Sequence, residues 1–187
     1  RELKAAVKSH QASSGSLVML DAKTGEVLAV VNQPSFNPND RGDLQGYRYR
    51  NRAMTDVFEP GSTVKPFLIA SALDGGYVSA NDVVDTSPGY YRIGRNVVRD
   101  FRNYGVLGLT DILKKSSNVA VSKIANEMPA EAMWGFYNRL GMGQSAGVGF
   151  PGEASGTLID YQYMNDFEQA TLSFGYGVSM SVIQLAR

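Results

Sequence analysis

The chain has 187 residues, with 18 Lys plus Arg against 18 Asp plus Glu and a formal net charge of zero. That length fits one ordinary domain or two small ones, and the even charge argues against a dedicated binder of nucleic acid or anionic membrane, which would carry a basic excess. With no cysteine and one histidine, His10, the chain offers no disulfide, no thiolate metal site and no Cys nucleophile, and leaves almost no room for a His-based triad or a multi-His zinc site.

Residues 1–12 read as a short amphipathic helix with Leu3, Ala6 and Val7 on one face, broken at Ser13-Ser14-Gly15. Residues 16–21 and 26–31 are apolar runs of strand length. The turn Ala22-Lys23-Thr24-Gly25 between them places Gly where a positive φ is wanted, so an antiparallel hairpin is expected. Residues 32–61 read as loop, and Arg41, Arg48, Arg50 and Arg52 as its solvated face, the alternative being a role in steering an anionic substrate. Residues 62–74 read as a helix whose Pro66 is tolerable only in the first turn, which puts the start close to Ser62; Gly75-Gly76 stops it. Residues 77–108 are mixed and turn-rich.

A helix is expected from Thr110-Asp111 with Thr110 as N-cap, pausing at Ser116-Ser117-Asn118 and resuming over 119–126. Residues 129–140 read as another helix, with Trp134, Met133, Tyr137 and Leu140 packing in the core. A Gly-rich loop over 141–157 and a helix over 165–174 follow, the latter ended by Phe174-Gly175-Tyr176-Gly177. No apolar run approaches the roughly 20 residues that span a bilayer. The chain opens without a signal peptide and stops inside what reads as a starting helix, so both ends are expected to have been cut from something longer.

The strongest chemical signal is Ser62-Thr63-Val64-Lys65, an S-x-x-K at a helix N-terminus. Its i, i+3 spacing sets hydroxyl and amine on one face, a turn apart. A serine is a weak nucleophile and needs a base. Lysine can serve if burial or nearby positive charge pulls its pKa down, and the helix N-terminus adds N–H groups for an oxyanion. Read blandly, the same residues are a helix cap and a surface lysine, but Glu59-Pro60-Gly61 before them implies a tight approach. Ser116-Ser117-Asn118 lies 54 residues after Ser62. It offers a hydroxyl that can relay a proton and an amide that can hold a substrate peptide group or the lysine. Alone, it would read as a capping loop.

S-x-x-K followed by S-x-N resembles the penicillin-recognising serine transpeptidases and β-lactamases. The strings around Phe58-Glu59-Pro60-Gly61-Ser62, Lys115-Ser116-Ser117-Asn118-Val119 and Ser173-Phe174-Gly175-Tyr176-Gly177 narrow this. They resemble the class B penicillin-binding proteins, specifically the division-specific peptidoglycan D,D-transpeptidase (penicillin-binding protein 3, FtsI type) of Gram-negative bacteria, and the hairpin resembles the opening of that family's transpeptidase domain. The resemblance implies an α/β fold of the penicillin-binding-protein/β-lactamase kind, incomplete here, with the helical lobe and part of the antiparallel sheet over 1–187 and no second domain. It implies that Ser62 attacks the penultimate carbonyl of a D-Ala-D-Ala stem peptide, that Lys65 is the base, Ser116 a relay and Asn118 a holder of substrate amide. It places Phe101 and Tyr176 along the cleft. The acyl-enzyme would pass to an amine of a neighbouring stem, and β-lactams would acylate Ser62 stably. Lipid-linked precursor and divisome membrane proteins would be partners of the parent, at the periplasmic face of the inner membrane with the anchor outside this chain. No metal or other cofactor is implied.

The chain departs from the family in places. No Lys-Ser/Thr-Gly follows Asn118, and Lys23-Thr24-Gly25 matches the letters in the wrong order and element, so it reads as a turn. Val182 stands where proline is expected and Ala120 where glycine is usual. Two rival readings stay open: a serine β-lactamase or β-lactam sensor, separated from a transpeptidase by its fast deacylation, and a non-catalytic binding or scaffold module, favoured by the missing third motif. Without that motif the 187 residues alone are expected to react weakly.

Overall fold

The computed structural model describes residues 1–40, 42 and 46–187; Arg41 lies outside them. In chain order the elements are α1 (Glu2–Ser9), β1 (Gly15–Leu20), β2 (Val27–Gln33), α2 (Arg52–Thr55), α3 (Lys65–Asp74), β3 (Val83–Asp85), β4 (Tyr90–Ile93), β5 (Asn96–Arg99), β6 (Val106–Gly108), α4 (Leu109–Lys115), α5 (Asn118–Glu127), α6 (Ala130–Arg139), β7 (Thr157–Leu158), α7 (Asp166–Leu172), β8 (Val178–Ser179) and α8 (Val182–Ala186). The strands pair antiparallel as β1–β2, β3–β6, β4–β5 and β7–β8. The result is the expected mixture of helices and antiparallel sheet. Among the described residues no helix is long and apolar enough to cross a membrane.

The chain forms two compact units. The first joins residues 1–58, 144–156 and 180–187. Its hairpin forms as expected: Asp21 Oδ1 accepts from the backbone N–H of Lys23 and Thr24, both at 2.8 Å, and Gly25 takes φ +74°. Lys23-Thr24-Gly25 is therefore an Asx-type turn, which accounts for those three residues without any other role. Alternation along the ribbon sends Val18, Leu20 and Val30 onto a buried cluster of Met54, Ala146 and Ile183, while Leu17, Met19 and Val31 face outward. The chain between residues 32 and 61 holds more structure than the loop expected there. Strand β2 runs on to Gln33, and α2 forms where Ala53 and Met54 are buried. Arg52 and Arg50 both pair with Asp56, at 2.8 and 2.7 Å, so these two arginines are structural partners of α2 as well as surface groups.

The second unit joins residues 59–143 and 157–179. Its core is helical. Leu68 and Ala72 of α3, Val119, Val121 and Ile124 of α5, Met133 and Tyr137 of α6 and Leu172 of α7 are buried. Gln169 ties α7 to the end of α5, donating from Nε2 to the carbonyls of Ala125 and Met128 at 2.7 and 2.8 Å, which satisfies backbone acceptors that a helix end leaves open.

Three details differ from the sequence expectations. The helix expected from Ser62 begins as a 3₁₀ turn, Gly61–Val64, and becomes α-helical only at Lys65, because Pro66 then sits in its first turn, where no N–H is needed. Helix α4 starts a residue before Thr110, with Gly108 in the capping position. On α6 only Met133 and Tyr137 are core. Trp134 is half-buried against the ring of Tyr161 at 5.6 Å, and Leu140, past the last turn, is exposed.

Candidate active site

The second unit brings Ser62, Lys65, Ser116 and Asn118 together. Ser62 is exposed on the 3₁₀ turn Gly61–Val64, and Lys65, the first residue of α3, is 2% exposed. Lys65 Nζ uses three donors at once: to the Ser116 carbonyl at 2.6 Å, to Ser116 Oγ at 2.8 Å and to Asn118 Oδ1 at 2.7 Å. Ser116 Oγ in turn donates to Ser62 Oγ at 3.1 Å. A hydrogen-bonded path therefore runs from the Ser62 hydroxyl through Ser116 to the Lys65 amine. Burial pushes the Lys65 ammonium down to about 8, against the opposing pull of the Asp100 carboxylate.

The turn between α4 and α5 gives this arrangement its shape. Ser116 closes α4 in a left-handed conformation, φ +54° and ψ +45°, which a residue with a Cβ holds only when its surroundings compel it. Ser117 then caps α5, its Oγ accepting from the Ala120 N–H at 3.0 Å. The reversal turns the Ser116 side chain and carbonyl toward Lys65, and one residue later the Asn118 amide joins them. The helix thus resumes at Asn118, one residue before the sequence suggested.

Sequence reasoning passed over the groups behind this turn. Asp100 accepts from Ser117 Oγ at 2.6 Å, from the Asn118 N–H at 2.6 Å and from the Val119 N–H at 3.1 Å. The Arg99 carbonyl accepts from Asn118 Nδ2 at 3.3 Å. An acidic residue far from the helix that it caps leaves no periodic trace.

A second strap holds the nucleophile's own turn. The Gly61 N–H donates to the Gly175 carbonyl at 3.1 Å, and Glu59 accepts from the Gly177 N–H at 2.9 Å. A Cβ on Gly175 would lie 2.0 Å from the Gly61 carbonyl oxygen, and its φ is +84°, so only glycine fits. The tight approach expected at Glu59-Pro60-Gly61 is this contact. Tyr176 projects from the strap, 52% exposed and edge-on to Phe174 at 5.7 Å between ring centres. Phe101 follows Asp100 and is 97% exposed, the most open of the large apolar side chains described. Neither ring belongs to the hydrogen-bonded group. Among the described residues no cluster of His, Cys, Asp and Glu has the arrangement of a metal site.

Residues 15–187 match the family model for the penicillin binding protein transpeptidase domain. The chain is 48% identical over 186 residues to a probable peptidoglycan D,D-transpeptidase, PenA, of Neisseria gonorrhoeae, and 48% identical over 187 residues to the peptidoglycan D,D-transpeptidase FtsI of Escherichia coli. Both comparisons cover 100% of this chain and 32% of the relative, so the chain spans about a third of the length of these curated relatives. Among solved structures, the transpeptidase domain of penicillin-binding protein 3 from Burkholderia pseudomallei superposes with a TM-score of 0.88 at 42% identity, over 99% of this chain and 51% of that one. A peptidoglycan glycosyltransferase from Burkholderia ambifaria does so with 0.89 at 43%, over 99% and 54%. The chain therefore belongs to the penicillin-binding protein transpeptidase domain family.

Proposed function

We propose that the chain carries the acyl-transfer centre of a division-type peptidoglycan D,D-transpeptidase. The observation that carries this reading is the path Ser62–Ser116–Lys65, a nucleophile joined to a buried amine through a hydroxyl. With Lys65 neutral, the Ser62 proton passes to Ser116 Oγ as the Ser116 proton passes to Lys65 Nζ. The freed oxygen attacks the penultimate D-Ala carbonyl of a stem peptide. The C–N bond then breaks, and terminal D-Ala leaves with the proton returned along the same path. The amine of a second stem attacks the acyl-enzyme and restores Ser62. In a β-lactam the broken amide lies in a ring, so the leaving amine stays attached and the acyl-enzyme persists. Asn118, anchored on Lys65 and Arg99, presents its amide to substrate. Phe101 and Tyr176 supply apolar walls.

A single family model spans residues 15–187 and so draws on both compact units, which supports reading 1–187 as part of one transpeptidase domain. The relatives' names support the substrate class, peptidoglycan; its stem peptides and their lipid-linked precursor are the substrates that this reading assigns. The site of action that goes with this reading is the periplasmic face of the inner membrane, in company with divisome proteins. The test is labelling of the full-length protein with a fluorescent penicillin beside Ser62→Ala, with peptide mapping of the adduct. Label on Ser62 alone, lost in Ser62→Ala, is expected. Equal labelling of the two proteins would defeat the assignment.

A further inference from the structure

Asp100 lies one residue beyond β5, and the groups its carboxylate binds lie 17 to 19 residues further along the chain. Its carboxylate meets three donors at the N-terminus of α5: one hydroxyl and two backbone N–H groups. Ser117, which supplies the hydroxyl, is 0% exposed. A helix N-terminus leaves several N–H groups without intrahelical partners; the Ser117 side chain takes that of Ala120, and Asp100 takes those of Asn118 and Val119. Asp100 thus completes the cap from outside the helix and at the same time holds the Ser117 hydroxyl. The residue just before that end, Ser116, is the one held left-handed, and it carries both oxygens that Lys65 binds besides the Asn118 amide.

Resting on the proposed function, we infer that Asp100 is a positioning residue for acyl transfer: it locks the Ser116–Asn118 turn in the conformation that completes the path from Ser62 to Lys65, and its negative charge acts on Lys65. The groups that touch Lys65, Ser116 and Asn118, are neutral. Helices α4, α5 and α6 pack on α3 and carry charge of their own, but these side chains face elsewhere. Asp111, Lys114, Lys115, Glu127, Glu131 and Arg139 are exposed, and Lys123 donates to the Asp85 carbonyl at 2.7 Å. From β5, Arg99 sits over the ring of Tyr90 at 5.5 Å. The Asp100 charge favours the ammonium form of Lys65, against the larger opposing effect of burial.

The two parts of the role separate experimentally. Asp100→Glu keeps the charge and moves the oxygens by a methylene. Asp100→Asn keeps the shape, removes the charge and turns an amide N–H₂ toward donors. The readout is the second-order rate of penicillin acylation of the full-length protein from pH 6 to 10, with circular dichroism as a check on folding. Misplacing reacting groups by about an ångström costs on the order of 100-fold. Both variants are therefore expected to lose on the order of 10- to 100-fold at the plateau. In Asp100→Asn the rising limb of the profile should also shift to lower pH, since the charge that favours protonated Lys65 is gone; in Asp100→Glu it should stay. A merely structural cap would not move the limb, so an unmoved limb in folded Asp100→Asn overturns the inference. Were Asp100→Asn not to fold, Asp100→Glu decides: a wild-type rate overturns it, and a loss at unchanged limb supports it. Ser62→Ala, run alongside, tells this apart from failure of the underlying reading, because penicillin label persisting there would refute Ser62 itself whatever Asp100 does.

Discussion

At the scale of single residues, the centre turns on the charge of Lys65. An ordinary lysine titrates near 10.4 and would be almost wholly protonated at neutral pH. Burial brings Lys65 to about 8, so that about a tenth of the molecules hold a neutral amine at pH 7. On the proposed mechanism only that form can accept the Ser62 proton. The acylation rate should therefore rise with pH through about 8 and level off above it, as read by penicillin acylation kinetics; a flat profile from pH 6 to 9 would contradict the role of Lys65. Lys65→Arg sharpens the same point. It keeps a cation but cannot deprotonate, and general-base catalysis contributes typically 10²- to 10⁴-fold, so a loss of that order is expected at every pH. Lys23, on the exposed hairpin turn, serves as the comparison: Lys23→Met should acylate like wild type.

At the scale of elements, α6 shows how a helix can be well placed and still imperfect. Tyr137 is 0% exposed, and its hydroxyl finds no hydrogen-bond partner among the described residues. Burial accordingly pushes the phenol well above its usual range. A buried unpaired hydroxyl costs stability, so Tyr137→Phe should raise the thermal midpoint, by a gain on the order of 1 kcal/mol; a lower midpoint would mean that the hydroxyl is satisfied. The helix itself was readable because Pro129 and Gly141 bracket an apolar pattern of period 3.6. The hairpin was readable for a like reason, an Asp-x-x-x-Gly turn between apolar runs. Helix α2 was not, because four residues show no period and its stability comes from Arg50 and Arg52 on Asp56 and from buried Met54. The same divide separates the parts of the site. Ser62 and Lys65 are joined by local spacing, whereas Asp100 and the Glu59–Gly177 contact depend on chain reversals that no window of sequence records.

At the scale of the whole molecule, the chain crosses between its two units four times, and the first unit is assembled from three separate stretches. Such a unit gains its core only when the last stretch arrives. Helix α8 is five residues long and too short to be stable alone, yet it carries its own capping box between Ser181 and Gln184. It also buries Ile183, at 1% exposure, under Val18, Leu20 and Val30 of the hairpin. Three further ties hold this stretch within the unit: the Phe58–Met180 bridge, the bonds from Gln184 to the carbonyls of Gln144 and Ser155, and the bond from Arg187 to the carbonyl of Ala146. Polar ties at an exposed end contribute little each, while emptying a buried isoleucine site costs about 2–5 kcal/mol. That is a large share of the roughly 5–15 kcal/mol by which a domain is stable. Ile183→Ala should therefore speed amide hydrogen exchange along β1 and β2, whose inner face loses its cover, and lower the denaturant midpoint. Substitution of Leu17 by alanine on the opposite, outward face should change both far less, because that side chain is 38% exposed and leaves a smaller void. Equal effects of the two substitutions would show that the hairpin is held from both faces and that α8 is not what anchors it.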